Sequence, residues 1–219
     1  MKLVYPTTKW LRHLHLLVIT SLLLSFGAVP VVRGEGGTGI YLPLVLAPPQ
    51  LPVYAWHTFY GSMNADFGQD IVIDGAGNLY VVGFGYENWL GPDSQPPLSS
   101  YPMPKSAASS VVLSLDAEGN YRWHTFVGFG QGRGIALGPG GSIYIVASYA
   151  PNWRGPNNQA PLHEHSGDRD LCIAKLDATG HYLWHTFYGS SGLDEAYAIA
   201  VDSAGNAVIG GHSADEWLG

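Results

Sequence analysis

Trp56-His57-Thr58-Phe59, Trp123-His124-Thr125-Phe126 and Trp184-His185-Thr186-Phe187 are three copies of one tetrapeptide in a chain of 219 residues. Working outward from them, Trp89, Trp153 and Trp217 recur at intervals of 64 residues, and so do Ile71, Ile135 and Ile199, Gly77, Gly141 and Gly205, and Gly91, Gly155 and Gly219. A unit of this length that holds several short strands is the mark of stacked sheets or propeller blades.

Each unit divides into four candidate strands. The first covers 67–73, 132–137 and 195–201; the second covers 79–83, 143–147 and 207–211. The third covers 111–115 and 171–176, and the fourth, which carries the tetrapeptide, covers 121–126 and 182–187. All are short runs rich in β-branched and aromatic residues. Asp74-Gly75-Ala76-Gly77-Asn78 and Asp202-Ser203-Ala204-Gly205-Asn206 join first strands to second. An Asp side chain there can accept backbone N–H groups, and Gly can take positive φ without a Cβ clash. The middle copy, Gly138-Pro139-Gly140-Gly141-Ser142, lacks the Asp, so this turn does not depend on a metal carboxylate. A single such turn also offers too few oxygens for Ca²⁺.

The strand order predicts an all-β chain: a partial β-propeller of four-stranded antiparallel blades, about two and a half of them, at 67–126, 132–187 and 193–219. Val53 to Tyr60 reads as a lone fourth-type strand that completes the last blade of a closed ring. The pattern stops inside a repeated element at Trp217-Leu218-Gly219, which reads as a truncated ring with open edges available for self-association.

Together the two Asp-x-x-Gly-Asn turns, the strand that precedes each and the Trp-His-Thr-Phe-Tyr-Gly strand resemble the SBBP family of β-propeller repeats. The resemblance covers nearly all of 56–219, is strong over 67–80 and 195–208, and departs at Gly138. It implies four-stranded blades, secretion and a non-enzymatic role, with no catalytic set to carry over.

The N-terminus fits secretion on its own terms. Lys2, Lys9 and Arg12 precede a mostly apolar run from Leu14 to Val32, so 1–34 reads as an export signal cleaved after Gly34 or Ala28, with an uncleaved membrane anchor as the alternative. The Pro- and Gly-rich stretch 35–52 reads as a linker, and 53–219 as the repeat domain. Nothing later is apolar enough to span a membrane. The chain has a formal net charge of −7, and the signal would take Lys2, Lys9, Arg12 and Arg33 with it, so nucleic acid is excluded as a partner for want of a positive track. Cys172 is the only cysteine, which rules out an intramolecular disulfide and fits a buried thiol in a strand.

Long connections between second and third strands, at about 86–108 and 149–168, form the candidate binding surface. They carry Asn88-Trp89-Leu90-Gly91-Pro92-Asp93 and Asn152-Trp153-Arg154-Gly155-Pro156-Asn157, and a third copy begins at Glu216-Trp217. Trp89, Trp153 and Trp217 can stack on sugar rings or anchor an extracellular peptide, with Asn88, Asp93, Asn152 and Asn157 supplying hydrogen bonds. The alternative, favoured by the compact Gly-Pro turn beside each indole, is that each Trp folds back as a lid over its own blade.

The chemistry of catalysis has weaker support. His57, His124 and His185 repeat with the blades, which favours structure. His163, His165, Asp168 and Asp170 are unrepeated, and their spacing makes a weak candidate for a transition metal. Asp194-Glu195 and Asp215-Glu216 are adjacent pairs that point opposite ways on a strand. No nucleophile elbow, zinc helix or dinucleotide fingerprint is present, and no cofactor is implied. The expected role is an exported scaffold with a structural or protein-interaction function, ahead of a carbohydrate- or peptide-binding module and of part of a propeller hydrolase or lyase.

Overall fold

The computed structural model of the protein describes residues 56–101 and 107–216, so the export signal, the linker, Val53 to Ala55 and Trp217 lie outside the described residues. Ten strands follow in order: β1 (Asp66–Ile73), β2 (Leu79–Gly85), β3 (Ser109–Leu115), β4 (Tyr121–Val127), β5 (Gln131–Leu137), β6 (Ile143–Ala150), β7 (Asp170–Leu176), β8 (Tyr182–Tyr188), β9 (Asp194–Val201) and β10 (Ala207–Ser213). They make two four-stranded antiparallel sheets, β1-β2-β3-β4 and β5-β6-β7-β8, and a β9-β10 pair. Every ladder joins strands consecutive in sequence. Single-turn 3-10 helices are the only helical elements among the described residues.

Each observed strand contains the segment its sequence pattern marks, lengthened by a few residues at one or both ends. The turns explain the sharp boundaries. Asp74 accepts the backbone N–H of Ala76 at 2.8 Å and of Asn78 at 2.9 Å, while Gly77 takes φ of +86°. Asp116, Asp177 and Asp202 repeat that geometry. These hydrogen bonds hold all four carboxyls below the usual carboxylate range; for Asp74, Asp116 and Asp202 the leading cause is the side-chain amide of the Asn that ends each turn, while burial opposes it most at Asp177. In the middle copy the backbone bond from Gly138 N–H to the Ser142 carbonyl survives without any Asp.

The sheets pack in series. β5 lies against β1, β2 and β3, and β9 lies against β5, β6 and β7. The first junction buries Tyr80, Val82 and Val112 of one sheet against Ile135, Ile143, Ile145, Ala147, Cys172, Ala174 and Leu176 of the next. The second buries Val146, Leu171, Ile173 and Ala196, with Ile199 and Ile209 packed against them. Each Val, Leu or Ile side chain removed from water contributes on the order of 1.5–3 kcal/mol, and each Ala less. Cys172 is inside the first junction, where burial, reinforced by the Asp170 charge, pushes its thiol up to about 12. It is inert at neutral pH.

The tetrapeptide tryptophans Trp56 and Trp123 interlock with the turn before the last strand of the sheet that follows each. A Cβ on Gly180, which has φ of +89°, would lie 2.7 Å from the Trp123 ring, and one on Gly119 would lie 2.8 Å from the Trp56 ring. Trp56 thus occupies the place its repeat position demands. Trp56 to Tyr60 is nevertheless not a strand, contrary to the sequence expectation, because no third-strand partner pairs with it among the described residues.

Candidate functional site

Two of the repeated tryptophans, Trp89 and Trp153, and two of the repeated histidines, His124 and His185, belong to a single device. Alternation on β4 sends His124 to the face opposite Trp123, and the long β2–β3 connection lays Trp89 flat upon it, with ring centroids 3.5 Å apart and planes at 7°. The second sheet does the same with Trp153 and His185, at 3.7 Å and 14°. The Trp89 carbonyl, which can only accept, lies 3.2 Å from His124 Nε2, so that nitrogen carries the proton. His124 Nδ1 therefore accepts from the Tyr121 hydroxyl at 2.8 Å. His185 is held likewise between the Trp153 carbonyl at 3.1 Å and the Tyr182 hydroxyl at 2.5 Å.

Both imidazoles are fully buried. Burial lowers the pKa of His124 to about 4, the Trp89 hydrogen bond opposing it, and burial likewise lowers that of His185. Neutral, enclosed rings of fixed tautomer are structural groups. The glycine of each Trp-x-Gly completes the arrangement: a Cβ on Gly91 would sit 2.6 Å from the Tyr121 ring, and one on Gly155 would sit 2.6 Å from the Tyr182 hydroxyl oxygen.

That geometry has the indoles folded back over their own sheets, the arrangement the compact Gly-Pro turns favour. Trp89 is 7% exposed and Trp153 is 8% exposed, each with a face covered by its own histidine, so neither offers a stacking platform. Asn88 accepts the backbone N–H of Tyr101 at 2.6 Å and ties the loop to itself. Asp93 and Asn157, both at φ of 56°, supply the left-handed step of their Pro-initiated turns, a conformation Asp and Asn tolerate. Asn152 is exposed.

The His163, His165, Asp168 and Asp170 group does not converge as a metal site either. His163 is exposed and stacks on Tyr188 at 5.5 Å; Asp168 is exposed; only His165 Nε2 approaches Asp170, at 4.0 Å from Oδ1, and it also bonds the Ala150 carbonyl at 3.1 Å. Among the described residues no three His, Cys, Asp or Glu side chains gather where they can hold a metal.

A cleft of about 730 Å³ opens between the second sheet and the β9-β10 pair. Its floor is Leu171, Ile173, Trp184 and Tyr188, and its far wall is Ala207, Ile209 and Gly211. β10 pairs with β9 alone among the described residues, and alternate residues along it face this cleft.

One pattern escaped the sequence reading. Ser62 and Asp66, Ser166 and Asp170, and Ser190 and Asp194 are Ser-x-x-x-Asp pairs that fold identically. The Ser backbone N–H donates to Asp Oδ2 at 2.6, 2.8 and 2.7 Å, and the Ser hydroxyl donates to the same oxygen at 2.8, 2.9 and 3.0 Å. In all three, Oδ1 is buried without a hydrogen-bond partner. Three recurrences of the spacing were the available signal, masked because two lie at one repeat position and the third at another.

No protein-family model matches the chain, and no curated protein matches it significantly.

Proposed function

We propose that the chain is an exported, non-enzymatic scaffold of the SBBP repeat type, its sheets arranged as propeller blades, with a structural or protein-interaction role. The observation that carries this reading is the enclosure of Trp89 with His124 and of Trp153 with His185 in clamps inside the two four-stranded sheets. In both units these repeated residues hold their own unit together. The succession of β1 against β5 and β5 against β9 supports this reading, since a blade arrangement requires first strands packed in series. No helix among the described residues is long and apolar enough to cross a membrane.

Fractionation of a bacterial host expressing the full chain tests export, with a version lacking 1–34 as control. The full chain is expected outside the cytoplasm and the control inside; retention of both overturns the reading. Turnover of a chromogenic ester, phosphate or glycoside that vanishes on His163→Ala or Glu195→Gln would overturn the non-enzymatic part.

A second reading rests on the cleft. An extended strand with the alternating apolar pattern of β3 or β7 fits beside the open edge of β10 over Ile173 and Trp184, adding backbone hydrogen bonds to apolar contact. A synthetic peptide covering 109–127 is expected to change the Trp184 emission, isolated by difference from a Trp184→Phe variant. An equal change with a scrambled peptide removes this reading.

A further inference from the structure

Phe59 is 89% exposed, whereas Phe126 and Phe187 at the same repeat position are 3% and 0% exposed. Residues 56–60 carry the side chains of a fourth strand without a third strand beside them among the described residues. The β9-β10 pair has the converse deficit. β2 and β6, the counterparts of β10, each pair with a third strand, β3 and β7, while β10 pairs with β9 alone among the described residues.

The first junction shows what fills the equivalent of the cleft. There Tyr80, Val112 and Val127 of the first sheet share one core with Cys172, Ala174, Leu176 and Phe187, side chains of the third and fourth strands β7 and β8. At the second junction the matching floor is Tyr144, Ile173 and Tyr188, and Tyr188 is 39% exposed where Val127 is 5% exposed. The wall is open as well: Ala207 is exposed and Ile209 half-buried, against the buried Ile143 and Ile145 of the first junction. The cleft is the place that β7 and β8 take one junction earlier.

The chain carries one further segment with the pattern of such a strand pair. In the register that sets Trp56 on Trp184, Leu44, Leu46, Pro48 and Phe59 stand at the positions of Cys172, Ala174, Leu176 and Phe187. All four are apolar. Pro48 falls where β3 and β7 both depart from regular register, a place that tolerates proline. Residues 44–55 lie outside the described residues, and their sequence alone assigns them this register.

Within one chain the segment and the cleft stand apart, since Trp56 is seated on Gly119 of the first sheet while the cleft opens beyond the second sheet. We propose that residues 44–60 of a second copy occupy the cleft, adding a third and a fourth strand to β9-β10, and that two copies exchange these segments reciprocally. A two-fold exchange uses both segments and both clefts and recruits no further copy. It yields six four-stranded sheets, within the roughly four to eight that close a propeller ring. The proposal names an occupant for the cleft and rests on the strand-addition reading of it.

Sedimentation velocity of the full chain is expected to move from one copy to two as concentration rises through about 10 µM, dilute samples holding single copies. Phe59→Asp is expected to weaken association by about tenfold or more, because it brings a charge to an apolar cleft. It is expected to leave the melting of the dilute chain unchanged, because Phe59 is exposed there. Ala207→Arg obstructs the cleft wall and is expected to weaken association similarly. An equimolar mixture of the two variants is expected to associate more tightly than either alone, since an intact segment then meets an intact cleft. Leu90→Arg, at another exposed apolar position, is expected to behave as the parent. A parent chain that remains a single copy about twentyfold above the expected midpoint overturns the proposal. So does a Phe59→Asp chain that associates as the parent does, a mixture no tighter than its components, or growth past two copies. Binding of the 109–127 peptide by a parent chain that stays single retains the strand-addition reading and removes this occupant; loss of both removes both.

Discussion

The first and second sheets follow one sequence frame and have opposite fates. Ile71 of β1 is 51% exposed, whereas Ile135 at the same repeat position is 2% exposed. Leu79, Val81, Val111 and Leu113 are half-buried, while their counterparts Ile143, Ile145, Cys172 and Ala174 are buried. The difference is a neighbour: the second sheet has β1, β2 and β3 against that face, and the first has no described element there. Within a sheet the environments are alike, as the Trp89–His124 and Trp153–His185 clamps demonstrate. Side-chain identity sets the internal architecture of a unit, and stacking sets how much stability each apolar position contributes.

Mutations at paired positions test that division. Trp89→Ala and Trp153→Ala each remove a buried indole from the same internal clamp. Both are expected to destabilise by about 3–5 kcal/mol in urea unfolding; a large inequality would tie the clamps to stacking after all. Ile145→Ala is expected to cost about 2–4 kcal/mol, and Val81→Ala at the matching position about 1 kcal/mol or less. Equal losses would mean that the exposed face of the first sheet is covered in solution.

Acid probes the clamps without mutation. Because the folded pKa of His124 is about 4, below its ordinary 6.5, the unfolded chain binds more protons between those values. Stability is therefore full above pH 6.5 and declines as pH falls toward 4, with His185 adding in the same direction. The ring resonances of His124 should report the neutral form down to about pH 4, and titration near pH 6.5 would contradict its enclosure. The smallest effect is expected at Gly75, where an added Cβ meets nothing within 4 Å: Gly75→Ala should alter stability by no more than about 0.5 kcal/mol.

Strand order and turns were legible because they are local. Alternation marks a strand in five residues, and Asp-x-x-Gly marks the turn that ends it. The clamp was legible in part: Trp and His repeat in step, yet they lie 35 and 32 residues apart, and spacing says nothing about which face a loop turns to. The ligand-rim and lid readings were not separable at that point, since an indole in a long loop can face outward or inward with the same sequence. Asp194 was read beside Glu195, its neighbour in sequence, while its carboxylate is bonded by Ser190, four residues back. The Trp56 segment shows the reverse limit: its pattern is a strand pattern, but a ladder requires a second strand.

The docking of each outer tryptophan on a glycine in the next unit has an evolutionary corollary. Trp56 on Gly119 and Trp123 on Gly180 are the same plug and socket, so the first four-stranded sheet carries both a socket for the segment before it and a plug for the sheet after it. Unequal crossing-over that duplicates or deletes a whole unit leaves each join between compatible halves. A gene of this kind can change length in single steps without inventing a new contact.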